Sequence, residues 1–440
     1  MKPAPKGDKP KKETPKLQAP RGMHDVLPSE QPYWEKITGA TGDVARFYGF
    51  QKIDTPVIEY ASLFIKTTGE DTDVVTKEMY TLKTRGGDVL ALRPEFTPSI
   101  ARAYLEHGLS RLGQPQRLYH FGPTFRHEKP QLGRLRQFTQ LGFEILGGTN
   151  DFIYDAQVIL MFTNLLGELR IKNTSLKINS IGCRVCRPLY KKQLQSFYKN
   201  HEKDLCLNCV KRLKSNPLRL LDCKNPECEK IKTKAPNILN KLCLTCGTHF
   251  KGVLECLDEL QIPYTLDSHL VRGLDYYSRT VFEIFADNDV SGIGALPAGG
   301  RYDYLMESLG GHLTPAVGGA CSVERLIAAM KLNNVEVSPK TVKRVFLAHA
   351  GDSAKKKALK LIRDLYGAGI PIAESLSKES LKAQLKSADK SGAAIALIMG
   401  QKEIYESNII MRDLRTGLQE TVSLDKIVGE IKKKFKENKQ

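Results

Sequence analysis

Between Gln116 and Leu146 the chain alternates apolar and polar residues on both sides of a short polar loop. Tyr119, Phe121 and Phe125 share one phase of the first half, and His120, Gly122, Thr124 and Arg126 share the other. After a loop from Glu128 to Arg134, Leu141, Phe143 and Ile145 take one phase, while Arg136, Phe138, Gln140, Gly142 and Glu144 take the other. A period of two predicts an antiparallel hairpin whose two sets of side chains face opposite sides of a sheet. The apolar set predicts a packed face. The other set carries an amide, a carboxylate and an aromatic ring, with Gly142 where a side chain would block access. It predicts the floor of a polar binding site. Periodicity also allows a plainer arrangement, a sheet with its charged face in water.

The flanking pattern mixes both periods. Trp34, Ile37, Val44 and Phe47 fall at helical spacing from Pro32 to about Gly49, and a short strand interrupted by Pro56 follows. Met79–Leu82 and Val89–Arg93 predict a hairpin around Arg85-Gly86-Gly87-Asp88. Thr97 and Pro98 predict a helix start, with Thr97 as its cap. Residues 151–169 predict a helix and 177–181 a strand. LVRGLDYY (270–277) leads into a strand at 280–285, AGGRYD (298–303) predicts a glycine turn, and SVERL (322–326) opens an amphipathic helix. From Thr341 strands and helices alternate, and residues 393–399 are apolar throughout, which predicts a small α/β unit.

Composition narrows the class. The chain has 440 residues, 41% of them hydrophobic, and no run approaches the ~18 apolar residues of a spanning helix. A net charge of +18 argues for a polyanionic partner such as nucleic acid. Part of that charge lies in a Lys/Pro-rich tail, residues 1–18, that has almost nothing to bury and reads as disordered. With no export signal, the 10 cysteines read as reduced thiols or metal ligands in a cytoplasmic protein.

Arg126, Arg134, Arg272 and Arg325 stand in polar, glycine-flanked contexts with no regular charge partner nearby. Arginine suits bidentate phosphate contacts, and the chain has no G-x-x-x-x-G-K-[ST] loop, so a nucleotide would be held by arginines on antiparallel strands. FRHE (125–128) with Phe138 on the returning strand, and SVERL with Arg325, resemble motifs 2 and 3 of class II aminoacyl-tRNA synthetases. The helix and strand ending at Pro56 resemble motif 1, which builds the dimer interface in that class. LRPEFT (92–97), LVRGLDYY and AGGRYD are similar to the signatures of the histidyl-tRNA synthetase family, bacterial type, over a stretch from Arg21 to the C-terminus.

The resemblance implies an α+β fold: an antiparallel-sheet catalytic core at 19–335, interrupted by a Cys-rich insertion at 183–262, and an α/β anticodon-binding domain at 341–440. It implies ATP-dependent activation of L-histidine and transfer to tRNA(His), in a homodimer, with Mg²⁺ on the pyrophosphate portion. Arg126 and Arg272 are the implied catalytic residues at the α-phosphate, Arg272 on the side where relatives of other specificity rely on a metal ion. Arg325 takes the γ-phosphate, Phe138 stacks on adenine, and Glu128 and Arg134 complete the ATP contacts. Glu95 matches the ammonium, with Phe96 and Thr97 beside it. Gln140, Glu144 and Tyr277 match the imidazole, and Tyr276 closes the pocket. Gln131 and Arg136 face the tRNA acceptor end. Two departures stand out: Ser322 replaces a usual glycine and is expected to narrow the ATP floor, and Phe96 is bulky where smaller residues are common. A histidine-sensing regulatory relative would share the fold, but the arginine signature and the C-terminal domain oppose it.

A second constellation is the cysteines. Cys183/Cys186, Cys206/Cys209 and Cys243/Cys246 are C-x-x-C pairs, and Cys223/Cys228 is a C-x₄-C pair. Such spacing suits tetrahedral Zn²⁺ in two Cys₄ sites, with the pairing open; reduced thiols without metal are the alternative. The insertion reads as having little apolar content to fold otherwise. Cys256 and Cys321 read as buried apolar residues.

Overall fold

The computed structural model describes residues 17–131, 133–287, 292–339, 342–378 and 380–437. Residues 1–16 of the lysine-rich tail, and Thr341, expected to open the C-terminal unit, lie outside them. The backbone divides into two compact units between Val337 and Ser338.

In the first unit an eight-stranded sheet runs in the order Gln51–Lys52, Gln116–Phe125, Gln137–Leu146, Ala316–Ser322, Ala298–Arg301, Ser278–Ala286, Thr174–Ser180, Tyr264–Leu266. Neighbours are antiparallel except the two outermost pairs. The apolar phase of the hairpin packs as its period requires. Leu141, Phe143 and Ile145 are buried with Phe162, Phe282 and Val317. The Phe143 and Phe162 rings lie 5.3 Å apart, and Phe162 and Phe282 6.3 Å apart. Truncating any of these to alanine costs about 3–5 kcal/mol. The helix Ile153–Glu168 supplies much of this layer, beside Gln31–Phe47, Leu244–Glu259 and Val323–Leu332.

The opposite face of the sheet is not in water. Leu118 and Leu146 pack under Phe96, Ile100 and Tyr104 of the helix Thr97–Glu106, and under Tyr190, Leu194 and Tyr198 of Cys186–Lys199. The insertion therefore contributes a substantial apolar core, with Leu205, Leu213, Leu220, Leu221, Ile231 and Ile238 in the same cluster. This corrects the expectation of too little apolar content: its leucines and tyrosines are spaced among lysines, which hides them from a window average.

AGGRYD is also corrected. Ala298–Arg301 is an interior strand, not a turn. Gly299 pairs with Gly319 and Gly300 with Gly318. A Cβ on Gly299 would stand 2.6 Å from the Gly319 Cα and 2.9 Å from the Phe282 ring. These glycines permit close backbone approach. Arg301, in the same strand, is buried and bonds Asp155, Asp303 and the Asp151 carbonyl, a charge satisfied on every side.

A three-stranded sheet, Ile58–Tyr60, Val89–Leu92 and Thr81–Lys83, lies beside the main one. In the second unit the strand order is Ile372–Glu374, Val345–His349, Ile395–Met399, Asn408–Asp413, Gln419–Ser423. The first three are parallel and the last two antiparallel. Apolar clusters cover both faces, so Ile395–Met399 is buried at every position.

Candidate active site

The hairpin register sets Thr124 opposite Phe138 and Phe125 opposite Gln137, and the pairing continues as the Arg126 N–H donates to the Arg136 carbonyl at 2.9 Å. The loop beyond carries Glu128 and Arg134, an ion pair at 3.3 Å. A cavity of about 760 Å³ opens here. Arg126, Glu128, Arg134, Phe138, Gln140, Arg272 and Arg325 all line it.

Each cation is held by the backbone or by one acid. Arg126 Nε donates to the Pro94 carbonyl at 2.9 Å, and its guanidinium lies 5.5 Å from the Phe138 ring. Arg325 donates to the carbonyls of Gly133 at 2.7 Å and Ala295 at 2.8 Å. Burial, with Arg126 and Arg134 nearby, holds its pKa below the ordinary arginine value. Arg272 pairs with Glu283. Burial opposes its charge and Glu283 outweighs that, so its pKa stands above the ordinary value. Arg134 and Arg272 therefore do have acidic partners, against the expectation from their local sequence. Such a set of fixed cations around one aromatic ring is built to take a polyphosphate with a planar base.

The other expected residues lie behind the cavity in a buried layer. Glu95 accepts from Tyr276 Oη at 2.8 Å and from Thr68 Oγ1 at 3.3 Å. Thr97 Oγ1 donates to Glu144 at 2.8 Å, and Tyr302 Oη donates to its other oxygen. Thr97 does not cap its helix, as expected of it; the buried carboxylate competes successfully for its hydroxyl. Burial raises the Glu95 pKa, with Arg126 opposing. Burial pushes Glu144 up to about 8, with the Tyr302 and Thr97 bonds opposing. Gln140 joins the two layers: it lines the cavity, and its Oε1 accepts from the Phe96 N–H at 3.2 Å.

Gly142 does not open access. A Cβ there would meet the His120 ring and the Gly319 carbonyl. Phe96 stacks on His120 with centroids 4.1 Å apart, so its bulk goes into the core and not into the cavity. Ser322 lies on the cavity wall, but its hydroxyl works as the helix N-cap, accepting from the Arg325 N–H at 3.4 Å and donating to Glu324 at 2.6 Å.

The eight cysteines of the insertion gather into two groups, Cys183/Cys186/Cys243/Cys246 and Cys206/Cys209/Cys223/Cys228, whose sulfurs lie within 4.8 Å of one another. Tetrahedral Zn²⁺ with bonds of about 2.3 Å needs sulfurs about 3.8 Å apart. Cys183 and Cys186 Sγ are 3.8 Å apart, Cys183 and Cys243 3.9 Å, Cys206 and Cys223 3.8 Å. These distances fit a metal and are far too long for disulfides. Cys321 is buried as expected; Cys256 is only partly so.

A family model described as histidyl-tRNA synthetase matches residues 22–326, and one described as an anticodon binding domain matches 341–434. The chain belongs to the histidyl-tRNA synthetase family. The histidine–tRNA ligase of Dehalococcoides mccartyi is 46% identical over 95% of this chain and 100% of its own length. That of Pelotomaculum thermopropionicum is 42% identical over 96% and 99%. The crystal structure of apo Staphylococcus aureus histidyl-tRNA synthetase superposes with a TM-score of 0.78 at 32% identity, covering 94% of this chain and 99% of that one. The synthetase reaction, ATP-dependent attachment of histidine to tRNA, is the activity of the chain. Among the described residues no helix is long and apolar enough to cross a membrane.

Sequence patterns alone do not mark several residues of this candidate site. Glu283 is the lone carboxylate in the apolar run VFEIFA, a signal that was available. Tyr302 lies inside AGGRYD, whose family resemblance marks the segment but assigns this tyrosine no role. Thr68 and Arg187 reach the site by tertiary contact, Arg187 through the Tyr277 carbonyl, and nothing local marks them.

Proposed function

We propose that the cavity holds ATP and the buried layer behind it holds histidine, with the two meeting at Arg126, Gln140 and Arg272. Histidine's carboxylate oxygen attacks the α-phosphorus, a new O–P bond forms, and pyrophosphate leaves. Arg126 and Arg272 stabilise the charge that builds on the α-phosphate oxygens. Arg325 takes the γ-phosphate end, Phe138 stacks on adenine, and Glu128 and Arg134 complete the contacts; Mg²⁺ accompanies the pyrophosphate portion. Glu95, with Phe96 and Thr97 beside it, receives the ammonium. Gln140, Glu144 and Tyr277 read the imidazole, with Tyr276 closing the pocket. The ribose hydroxyl at the tRNA(His) terminus then attacks the carboxyl carbon and AMP departs. The observation that carries this reading is the gathering of Arg126, Arg272 and Arg325 around one cavity whose inner wall is Gln140.

The domain division follows: catalytic residues 19–335 interrupted by 183–262, and an anticodon-binding part at 341–440. Gln131 and Arg136 of the hairpin loop meet the acceptor end. The chain works as a homodimer through the motif 1 region, where Phe47 is 82% exposed. Each four-cysteine group holds one structural Zn²⁺, and cysteines kept out of disulfides suit the cytoplasm. Histidine-dependent ATP–pyrophosphate exchange tests the core of the proposal. Folded protein that exchanged nothing would refute it, and exchange driven by threonine or proline would refute the specificity.

A further inference from the structure

Asp222 and Lys224 flank Cys223, and both line the cavity that contains Arg126, Arg272 and Arg325. They belong to the insertion and to none of the motifs of the catalytic core. Their backbone is anchored from several directions. Cys223 is buried in the Cys206/Cys209/Cys223/Cys228 group, and its N–H donates to the Leu220 carbonyl at 3.2 Å. Leu220 and Leu221 are buried in the apolar cluster shared with Phe96 and Tyr276. Arg219 and Arg212 both reach Asp73, at 2.7 and 3.0 Å, and Asp73 precedes Val74, another residue of the cavity wall. The segment before Lys224 is thus clamped to the wall of the cavity.

Lys224 itself is exposed and makes no hydrogen bond or ion pair with any described residue. The other cavity lysine differs: Lys177 faces Asp267 at 3.8 Å and the Phe285 ring at 5.3 Å. A lysine with a fixed backbone and an uncommitted ammonium, on the wall of an arginine-lined cavity, has the chemistry of a phosphate contact. We propose that Lys224 is a phosphate-binding residue of the reaction, delivered to the cavity by the four-cysteine centre around Cys223. The proposal rests on the ATP reading of the cavity. The phosphate belongs either to the polyphosphate of ATP or to the terminal backbone of the tRNA.

The test compares the full-length wild type with Lys224→Met and Lys224→Arg in two assays: pyrophosphate exchange without tRNA, and single-turnover transfer from preformed adenylate to tRNA. Losing one charge-assisted contact predicts about a tenfold effect for Lys224→Met, largely restored in Lys224→Arg. A raised KM for ATP with the histidine KM unchanged assigns the contact to ATP. Slowed transfer with normal exchange assigns it to tRNA. No change in either assay, or equal changes in ATP and histidine KM that arginine does not restore, overturns the proposal. Metal content separates the roles: Lys224→Met keeps wild-type zinc, whereas Cys223→Ser loses metal and reproduces the same kinetic defect. If the wild type itself lacked histidine-dependent exchange, the ATP reading would fail, not the assignment of Lys224 alone.

Discussion

Arg187 donates a hydrogen bond to the main-chain carbonyl of Tyr277. It also donates to the Ile181 carbonyl at 3.3 Å, and it directly follows Cys186, a member of the first four-cysteine group. That group closes the neck of the insertion, because Cys183 and Cys186 lie at its entry and Cys243 and Cys246 at the start of the helix that leaves it. The neck is thereby tied to Tyr277, one wall of the proposed imidazole pocket. Arg187→Met removes both bonds, and losing the one to the Tyr277 carbonyl is expected to raise the KM for histidine about tenfold. The KM for ATP should stay within about twofold. Steady-state exchange kinetics check this, and equal effects on both substrates would show that Arg187 only supports the fold.

Glu144 gives the ligand-free protein a pH signature. Its folded pKa, about 8, lies above the ordinary glutamate value, so the folded state keeps a proton that the unfolded chain has released. The stability from this neutral acid is fully present below the ordinary value and is lost as pH rises through about 8. The slope is at most about 1.4 kcal/mol per pH unit. Glu95 is shifted in the same direction and adds to the trend. Glu144→Gln should flatten the fall in Tm between pH 5 and 8, measured at constant ionic strength. A variant whose Tm tracks the wild type across that range would mean that Glu144 is ionised in the fold.

The hairpin should separate the two substrates by position along one strand. Phe138 lines the cavity beside Arg126, while Gln140 faces the buried layer through the Phe96 N–H. Phe138→Ala is expected to raise the KM for ATP about tenfold, the worth of a stacked ring at about 1–3 kcal/mol. Gln140→Ala should raise the KM for histidine by a similar factor and relax rejection of analogues that lack ring nitrogens. Isothermal titration with each substrate reads both. Variants that weaken the two substrates alike would make the strand a scaffold.

What the chain order reveals is periodic or adjacent; what it hides is lateral. Leu141, Phe143 and Ile145 announce their buried face because a strand has a period of two. The helix from Val323 is announced by Ser322, whose hydroxyl caps it. The burial of the opposite face was not legible, since its cover comes from Tyr190, Leu194 and Tyr198 in a distant segment. Thr97 misleads for the same reason: local chemistry says cap, and Glu144, brought in by strand pairing, takes the hydroxyl. The Glu283 partner of Arg272 and the pairing of the cysteines depend on where the chain returns in space, which spacing alone does not encode.

The two cysteine groups are therefore expected to differ in what they support. Metal analysis of protein purified without chelators should find about two zinc ions per chain, one for each Cys₄ set. Cys246→Ser and Cys209→Ser should each lower this by about one and reduce Tm, because metal binding is coupled to folding. Their kinetic effects should diverge. The neck group adjoins Arg187 and so Tyr277, which predicts a loss in histidine use. The other group adjoins Lys224 on the cavity wall, which predicts a loss in ATP use or in transfer to tRNA. If both variants lose metal yet weaken every substrate equally, the centres stabilise the insertion as a whole. If the wild type carries no metal, the thiols are simply reduced, and the spacing of about 3.8 Å reflects packing rather than coordination.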